Sequence, residues 1–182
     1  MHDPTPSIPK PGHADKQAGR TGRTARTDAT YRFRATIDIR FRDTDALGHV
    51  NNAVYLTYFE SARIAYLSAV YGRPLTSLDL SLVVAEAHCR YRSAAVFGER
   101  LVVEVATVGL RSRAFELSYR VSVEEGGRLI AEGSTVQVAF NSGTKRVAVL
   151  DPTLVAALDR FEGGRIRSSE QPSQARPKGG TK

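Results

Sequence analysis

The side chains best able to do chemistry lie together in one stretch, RFRDTDALGHVNNAVYLTYFESAR, at residues 40–63. Two carboxylates, Asp43 and Asp45, end a strand-like run, and His49 and Asn51 follow them closely. A helical pattern begins directly afterwards, so we expect these side chains at the mouth of a helix. The unpaired N–H groups there carry about half a positive charge. Together these groups can bind a polarised carbonyl and activate a water beside it.

Each of these side chains also has a structural interpretation. An isolated Asp-Thr-Asp is a common turn, and it is the neighbouring Gly48, His49 and Asn51 that favour catalysis at Asp45. His49 either contacts a substrate or orients Asp45, or it is an exposed residue before the helix. Asn51 either holds a water or a carbonyl, or it caps the helix.

Residues 31–42 alternate apolar and polar side chains, a period of two that predicts a strand with one buried face. The apolar positions are Tyr31, Phe33, Ala35, Ile37, Ile39 and Phe41. This strand leads the chain to Asp43, which we interpret as structural, in an ion pair with Arg40 or Arg42.

Residues 52–71 place their apolar side chains at spacings of three and four, which predicts a long amphipathic helix. Asn51 or Asn52 can cap its start, Gly72 stands just past its end, and Pro74 prevents its continuation. The apolar stripe is wide and rich in aromatic residues. We therefore expect this helix to be central to the fold and buried on all but one narrow face.

The remainder of the chain has strand patterns. Four long strands are predicted at 80–92, 99–110, 114–124 and 128–140, with a hairpin turn at 125–127. A short segment at 146–150 and a brief helix at 152–161, capped by Asp151 and Pro152, complete the chain. One strand, one long helix and four successive antiparallel strands predict an α+β domain at residues 30–162, its sheet wrapped around the helix.

The net charge of +7 lies mostly outside this domain. Residues 30–162 hold 16 basic and 15 acidic residues, so the body is nearly neutral. The flanking segments at 1–29 and 163–182 are basic and rich in Pro, Gly and polar residues, and we predict that both are disordered. Nucleic-acid binding by the folded domain is therefore not favoured.

Several classes of protein find no support in the sequence. Cys89 is the only cysteine, which excludes an internal disulfide and fits a buried, inert thiol in a reducing cytoplasm. No window approaches the ~18 apolar residues of a membrane span, and the start has no apolar core of a secretory signal. The four histidines are scattered, so no metal site is expected. A serine hydrolase is not indicated, because no Gly-x-Ser-x-Gly motif occurs.

The run D-x-D-x-x-G-H-V-N-N-x-x-Y at 43–55, with an aromatic helix ending E-S-A-R, resembles the hotdog-fold acyl-CoA thioesterases. The resemblance is to the 4-hydroxybenzoyl-CoA thioesterase-like branch and covers residues 31 to 161. The Gly-Glu-Arg-Leu at 98–101 and the Ala-Glu-Gly at 131–133 are weaker matches. It implies an antiparallel sheet wrapped around a central helix, a homodimer or homotetramer paired through sheet edges, and active sites at the dimer interface.

The resemblance also implies roles for individual residues. Asp45 takes the place of the catalytic carboxylate, either as the general base for water or as the nucleophile. The backbone N–H groups of Gly48 and His49 would hold the thioester oxygen, and no cofactor is needed. Another hotdog branch uses a carboxylate on the central helix, so Glu60 is the alternative catalyst, although an ion pair with Arg63 explains it more simply.

The activity implied is hydrolysis of an acyl-CoA to the free acid and CoA. The His-Val-Asn-Asn form is similar to that of members acting on fatty acyl thioesters. The phosphates of CoA need nearby cations, and the candidates are Arg90, Arg92, Arg111 and Arg113. Three alternatives stay open: a thioesterase acting on acyl carrier protein, a non-catalytic module that binds acyl-CoA, and a nucleic-acid binder that uses the basic tails.

Overall fold

The computed structural model describes residues 30–75 and 81–166, so the arm predicted at 1–29 and most of the predicted tail lie outside it. A long helix packs against a six-stranded antiparallel sheet. The strands are β1 (Phe33–Asp38), β2 (Leu82–Tyr91), β3 (Arg100–Leu110), β4 (Ala114–Val123), β5 (Leu129–Asn141) and β6 (Arg146–Val147). The helices are α1 (Val54–Tyr71) and α2 (Pro152–Phe161). The predicted α+β class is thereby confirmed.

The strands follow the order β1-β3-β4-β5-β2, and β6 pairs with the end of β5. The three central strands are joined by tight turns because β3, β4 and β5 follow one another along the chain. Gly126 and Gly127 adopt φ values of 75° and 66° in the second turn, a left-handed conformation that glycine adopts without strain. Strands β1 and β2 are left at the two edges of the sheet.

Helix α1 ends where the sequence predicts, at Gly72, whose φ of 67° closes the helix in the left-handed conformation. Its buried stripe packs on the concave face of the sheet and consists of Tyr55, Tyr58, Phe59, Ala62, Tyr66, Leu67 and Val70. The ring of Phe59 stacks on that of Tyr119 with centroids 4.4 Å apart. Beneath that ring lies Gly133, where a Cβ atom would come within 2.5 Å of Phe59 and of the His88 carbonyl.

Two predictions about burial are wrong. Phe41 does not continue the buried face of the first strand and is 77 % exposed, because a 3-10 turn at Phe41–Asp43 ends the alternation. Helix α1 is also exposed over a broader face than predicted, with Leu56 and Ile64 open to solvent. The concave side of β2 is equally uncovered, since Val84 and Ala87 are exposed. A single chain therefore leaves one side of its helix and one edge strand bare.

The end of α2 is held by a buried polar network. The Glu162 carboxylate is 4 % exposed and accepts hydrogen bonds from the Tyr66 hydroxyl at 2.6 Å and the Thr107 N–H at 2.9 Å. Burial and the adjacent carboxylate raise the pKa of Tyr66, so its hydroxyl stays protonated and donates. The network ties α1, β3 and the end of α2 together.

Across residues 30–75 and 81–166, neither helix combines the length and the apolar character needed to cross a membrane.

Candidate active site

The stretch that carries the chemistry folds as a closed hairpin between β1 and α1. The Asn51 N–H donates to the Asp43 carbonyl at 2.9 Å, and the Asp45 N–H donates to the His49 carbonyl at 2.8 Å. Gly48 makes the tip possible with a φ of 77°, and its N–H donates to the Asp45 carbonyl at 3.0 Å. A further hydrogen bond, from the Val50 N–H to the Ala95 carbonyl at 2.8 Å, attaches the hairpin to the segment before β3.

Asp43 fixes the base of this hairpin. Its carboxylate is 3 % exposed and accepts hydrogen bonds from the Arg40 N–H at 3.0 Å, from Arg40 Nη2 at 3.0 Å and from the Tyr58 hydroxyl at 3.0 Å. Burial and the neighbouring carboxylate raise the pKa of Tyr58, which keeps that hydroxyl a donor. The structural role predicted for Asp43 agrees with these contacts, and its partner is Arg40 rather than Arg42. The loop and α1 are thereby joined at one buried carboxylate.

The Asp43 carboxylate makes the free energy of unfolding depend on pH. Burial alone raises the pKa of Asp43, but the hydrogen bonds from Arg40 and Tyr58 more than offset burial, and the net pKa is lowered. A carboxylate with a lowered folded-state pKa stabilises the fold above its unfolded-state value, about 3.9, and this contribution is lost as the pH falls through the folded-state value. We expect urea unfolding to show Asp43→Asn less stable than wild type by a constant amount above pH ~5. The difference should shrink between pH ~4 and pH ~2, and a difference independent of pH would contradict this assignment.

Asp45 presents one carboxylate oxygen to the site. Its side chain is half-buried, and Oδ1 accepts a hydrogen bond from the Leu47 N–H at 2.8 Å. The other oxygen has no hydrogen-bond partner among residues 30–75 and 81–166. The His49 ring is exposed and makes no hydrogen bond with Asp45 in this part of the chain. Asp45 is thus held in one orientation while one oxygen can take a proton from water.

The backbone N–H groups near Asp45 differ in their availability for an oxyanion. The Gly48 N–H is occupied by the Asp45 carbonyl. Within the described residues, the N–H groups of His49 and Asn52 have no partner. Asn52 lies beside Ala53, the residue at the start of α1, where the helix dipole adds positive charge. The sequence predicts the Gly48 and His49 N–H groups as oxyanion donors. Of these two, only the His49 N–H is available. The available Asn52 N–H is not among the predicted donors.

Asn51 forms a turn just before α1, whose N-cap residue is Ala53. Its Oδ1 accepts a hydrogen bond from the Ala53 N–H at 2.9 Å, and its carbonyl accepts from the Val54 N–H at 3.0 Å. The predicted capping of α1 by the side chain of Asn51 or Asn52 is therefore wrong, because the helix begins at Ala53 without a side-chain cap. The Asn51 contacts nevertheless fix the backbone at the mouth of α1. The Asn51 side chain therefore orients the N–H groups at the mouth of the helix.

Two tyrosines lie beside the start of α1, although the sequence does not indicate a role for either of them in the site. The Tyr91 hydroxyl donates to the Asn52 carbonyl at 2.8 Å, and its ring meets that of Tyr55 edge to face at 5.2 Å. Burial is the main cause that raises the pKa of Tyr55 to about 12. Because Tyr91 is the last residue of β2, the edge strand reaches the candidate site directly. Strand periodicity alone gave no signal for this contact.

None of the remaining predicted residues forms a hydrogen bond or ion pair with Asp45 among residues 30–75 and 81–166. Glu60 is exposed on α1 and forms an ion pair with Arg63 at 3.3 Å, as its simpler interpretation predicts. Arg92 donates to Glu132 Oε2 at 2.8 and 2.6 Å, while Arg90 is exposed on β2. The other two candidate arginines, Arg111 and Arg113, follow the far end of β3, about 30 Å along the sheet from the strand end nearest the hairpin. One chain does not bring all four arginines to the carboxylate.

The described residues near Asp45 include no cluster of metal-ligating side chains. A cavity of about 300 Å³ lies at the opposite end of α1, lined by Tyr71, Leu82 and Leu154 among others. Among residues 30–75 and 81–166, no group of three His, Cys, Asp or Glu side chains could hold a metal ion. The thiol of Cys89 is half-buried, and burial raises its pKa, in keeping with an inert side chain.

Comparison with known proteins identifies the family. Residues 39–158 match the family model of the thioesterase-like superfamily. The chain is 32% identical over 132 residues to a 1,4-dihydroxy-2-naphthoyl-CoA hydrolase of Rippkaea orientalis, covering 70% of this chain and 95% of that protein. It is 26% identical over 126 residues to a long-chain acyl-CoA thioesterase of Escherichia coli, covering 69% of this chain and 96% of that protein.

A solved structure agrees with these relatives. The crystal structure of a thioesterase from Thermus thermophilus, complexed with coenzyme A and zinc, superposes with a TM-score of 0.64 at 35% sequence identity. The match covers 71% of this chain and 93% of that one. The resemblance inferred from the Asp43–Tyr55 motif is therefore confirmed. The chain belongs to the thioesterase-like superfamily and is a thioester hydrolase with the hotdog fold.

Proposed function

We propose that this enzyme hydrolyses a fatty acyl-CoA to the free acid and CoA, with Asp45 as the catalytic carboxylate. The observation that carries this proposal is the Asp45 side chain, held by the Leu47 N–H through one oxygen while the other oxygen has no partner in the described chain. A carboxylate so placed can act on a water, or on the thioester itself, at the mouth of a helix. The relatives named for acyl-CoA and naphthoyl-CoA substrates support the CoA ester.

The geometry accommodates the reaction without a further catalytic group. When Asp45 acts as the base, it takes a proton from water as the water oxygen adds to the thioester carbon. The resulting oxyanion accepts hydrogen bonds from the His49 and Asn52 N–H groups. The C–S bond then breaks, and CoA leaves as a thiolate, a group that needs no strong acid to depart. The thiolate takes up a proton, so one water is consumed for each free acid and CoA formed.

We propose that the active form contains at least a dimer in which β2 pairs with β2 of a second copy. Support comes from the bare edge of β2 and from the exposed Leu56 and Ile64 on the open side of α1. An uncovered apolar face beside an open strand edge is an association surface. Since Tyr91 joins the end of β2 to Asn52, such pairing places a partner subunit beside the candidate site.

The same pairing accounts for the distant arginines. Antiparallel pairing sets the Leu82 end of one β2 beside the Tyr91 end of the other. Arg111 and Arg113 lie at the Leu82 end of the sheet, because Leu82 pairs with Ala139 on β5 and Ala114 pairs with the adjacent Val138. The partner's Arg111 and the partner's Arg113 are therefore carried toward the end of the molecule that holds the hairpin. We propose that they bind the phosphates of CoA there.

The experiment is thiol release from acyl esters of CoA with chains of C4 to C18 and a benzoyl ester, alongside carrier-protein esters of the best acyl group. We expect turnover of CoA esters that increases toward the longer aliphatic chains. Faster turnover of the benzoyl ester would overturn the fatty substrate, and turnover of carrier esters alone would overturn the CoA ester. Saturable binding of every ester without hydrolysis would overturn the enzyme assignment itself. Because the proposed mechanism gives no role to a metal ion, we expect addition of a chelator such as EDTA to leave the rate unchanged.

A further inference from the structure

A single row of charges of alternating sign crosses the convex face of the sheet. The strand registers place Arg34 of β1 opposite Glu104 of β3, Glu104 opposite Arg120 of β4, Arg120 opposite Glu132 of β5, and Glu132 opposite Arg90 of β2. Two of these neighbours form ion pairs, Arg34–Glu104 at 3.6 Å and Arg120–Glu104 at 3.8 Å. Opposite charges directly across neighbouring strands stabilise one register over others. The row therefore ends with a positive charge, Arg90, at the open edge.

The open edge carries two charges that the rest of the described chain leaves unmatched. Arg90 and Glu86 are exposed, and neither forms an ion pair among residues 30–75 and 81–166. Both lie on the convex face with His88, since the residues between them, Ala87 and Cys89, pair with buried positions of β5. In contrast, Arg92 on the same face is held by Glu132. Charges on an edge strand oppose unspecific pairing, so a second strand is favoured there only where it sets opposite charges across from them.

The backbone of β2 is oriented to pair at this place. The Arg92 N–H donates to the Ile130 carbonyl, which makes the even-numbered residues of this part of β2 the ones bonded to β5. The N–H and C=O groups of Ala87, Cys89 and Tyr91 therefore point outward, because hydrogen-bonded positions alternate along an antiparallel strand. A second copy of β2, paired antiparallel, can form hydrogen bonds with these N–H and C=O groups. Side chains at the intervening even positions then lie closer together, as in any non-hydrogen-bonded pair.

The two-fold symmetry of a homodimer restricts the registers available. When two identical strands pair antiparallel, one residue lies on the axis opposite its own copy, and residues equally far on either side face each other. An axis at Glu86 or at Arg90 brings like charges together, which is destabilising. An axis at Ala87 places Arg90 against the irregularity between Val84 and Glu86, where no opposite charge lies. An axis at Cys89 places Glu86 opposite Arg92, which Glu132 already holds, and leaves Arg90 opposite His88. With the axis at His88, each Arg90 faces a Glu86, and both unmatched charges are neutralised.

We infer that β2 pairs with β2 of a second copy in one register, centred on His88, with Arg90 of each chain opposite Glu86 of the partner subunit. This inference rests on the dimer proposed above and specifies its register. The charge row then extends without interruption from Arg34 to the partner's Glu86. Arg90 is accordingly a determinant of assembly and not a ligand of the CoA phosphates.

Charge reversal tests the pairing. Arg90→Glu and Glu86→Arg each place two like-charged pairs across the axis, and we expect each to raise the dimer dissociation constant about 10- to 100-fold by analytical ultracentrifugation. The double variant restores both pairs and should return to within a few-fold of wild type. Arg34→Glu, at the other end of the row, is the matched control and should leave the dissociation constant unchanged. Mixing the two single variants should give heterodimers in excess over either homodimer by native mass spectrometry.

Cysteine cross-linking tests the register independently of affinity. In a Cys89→Ser background, His88→Cys should form an intermolecular disulfide on mild oxidation, because non-hydrogen-bonded partners have Cα atoms about 4.5 Å apart. Ala87→Cys in the same background, and the native Cys89, should not cross-link to their own copies. A cross-link at position 87 or 89 overturns this register while leaving the dimer in place. A wild-type protein that is monomeric at micromolar concentration overturns the dimer and this inference together, whereas thioesterase assays on CoA esters test the activity separately.

Discussion

Asp45→Asn should reduce thioester turnover about 100-fold or more while leaving the fold intact. The loss follows because an amide cannot take a proton from water or attack a thioester. The fold is preserved because the Asn Oδ1 can still accept the hydrogen bond that Leu47 N–H now gives to Asp45 Oδ1. The measurement is kcat and KM for thiol release from the preferred acyl-CoA, with circular dichroism and thermal unfolding of both proteins.

Glu60→Gln is the matched control. Glu60 is exposed and contacts Arg63 across one turn of α1, so its loss removes only a surface ion pair. We expect its turnover to stay within about twofold of wild type, since exposed ion pairs contribute little. The opposite pattern, full activity in Asp45→Asn and a large loss in Glu60→Gln, would transfer the catalytic role to the helix carboxylate.

The two chemical roles of Asp45 can be separated by the intermediate each leaves. Attack by Asp45 on the thioester gives a mixed anhydride, so rapid quenching and mass spectrometry would find the enzyme heavier by one acyl group. Activation of water leaves the enzyme unmodified at every time point. The half-buried, partly hydrogen-bonded carboxylate is compatible with either role.

Gly133→Ala should destabilise the fold by about 3 kcal/mol, near the upper end of what overpacking a core usually costs. A Cβ atom at this position would lie 2.5 Å from the His88 carbonyl oxygen and 2.5 Å from Phe59 Cε2. The Phe59 ring cannot move freely because it is buried and stacks on Tyr119, and the carbonyl belongs to the paired strand β2. The measurement is the free energy of unfolding in urea, together with the thermal midpoint, which should fall by about 10 °C.

Gly109→Ala is the appropriate comparison. Gly109 lies at an irregularity in the pairing of β3 with β4, and a Cβ atom there meets only Glu116, at 3.7 Å. We expect little change in its unfolding free energy, since 3.7 Å is an ordinary contact distance. Equal stability of the two variants would show that the close approach of β2, β5 and Phe59 is relaxed in solution.

The sequence predicts the elements of this fold well because each carries a clear period and clear ends. The helix at 52–71 begins at Val54 and ends at Tyr71, and the helix at 152–161 has those bounds. The long strands differ from the structure by one or two residues at their ends, the usual error in element boundaries. The first strand is the exception, because the 3-10 turn at Phe41 keeps an alternating sequence while leaving the sheet.

The site is less completely encoded in local pattern. A cluster of Asp45, His49 and Asn51 is visible from spacing, and the hairpin does bring their backbones together. The Gly48 N–H donates to the Asp45 carbonyl, whereas the Asn52 N–H has no partner in the described chain. This difference depends on the path of the hairpin, which residue spacing does not determine. Tyr91 reaches Asn52 from 39 residues away along the chain, through the pairing of β2 with β5. Long-range contacts of this kind follow from topology, and periodicity carries no information about them.

The buried Glu162 shows that the folded domain extends beyond the last residue matched by the family model. The matched family region ends at residue 158, yet the partner of the Tyr66 hydroxyl and of the Thr107 N–H comes four residues later. A chain cut at residue 158 would leave the buried Thr107 N–H without its acceptor and the Tyr66 hydroxyl with only Thr107 Oγ1, at 2.7 Å. An unpaired amide in the core is costly. Anyone shortening this protein for crystallisation, or fusing a reporter behind it, should therefore keep the chain through Gly164, whose N–H closes α2 on the Asp159 carbonyl.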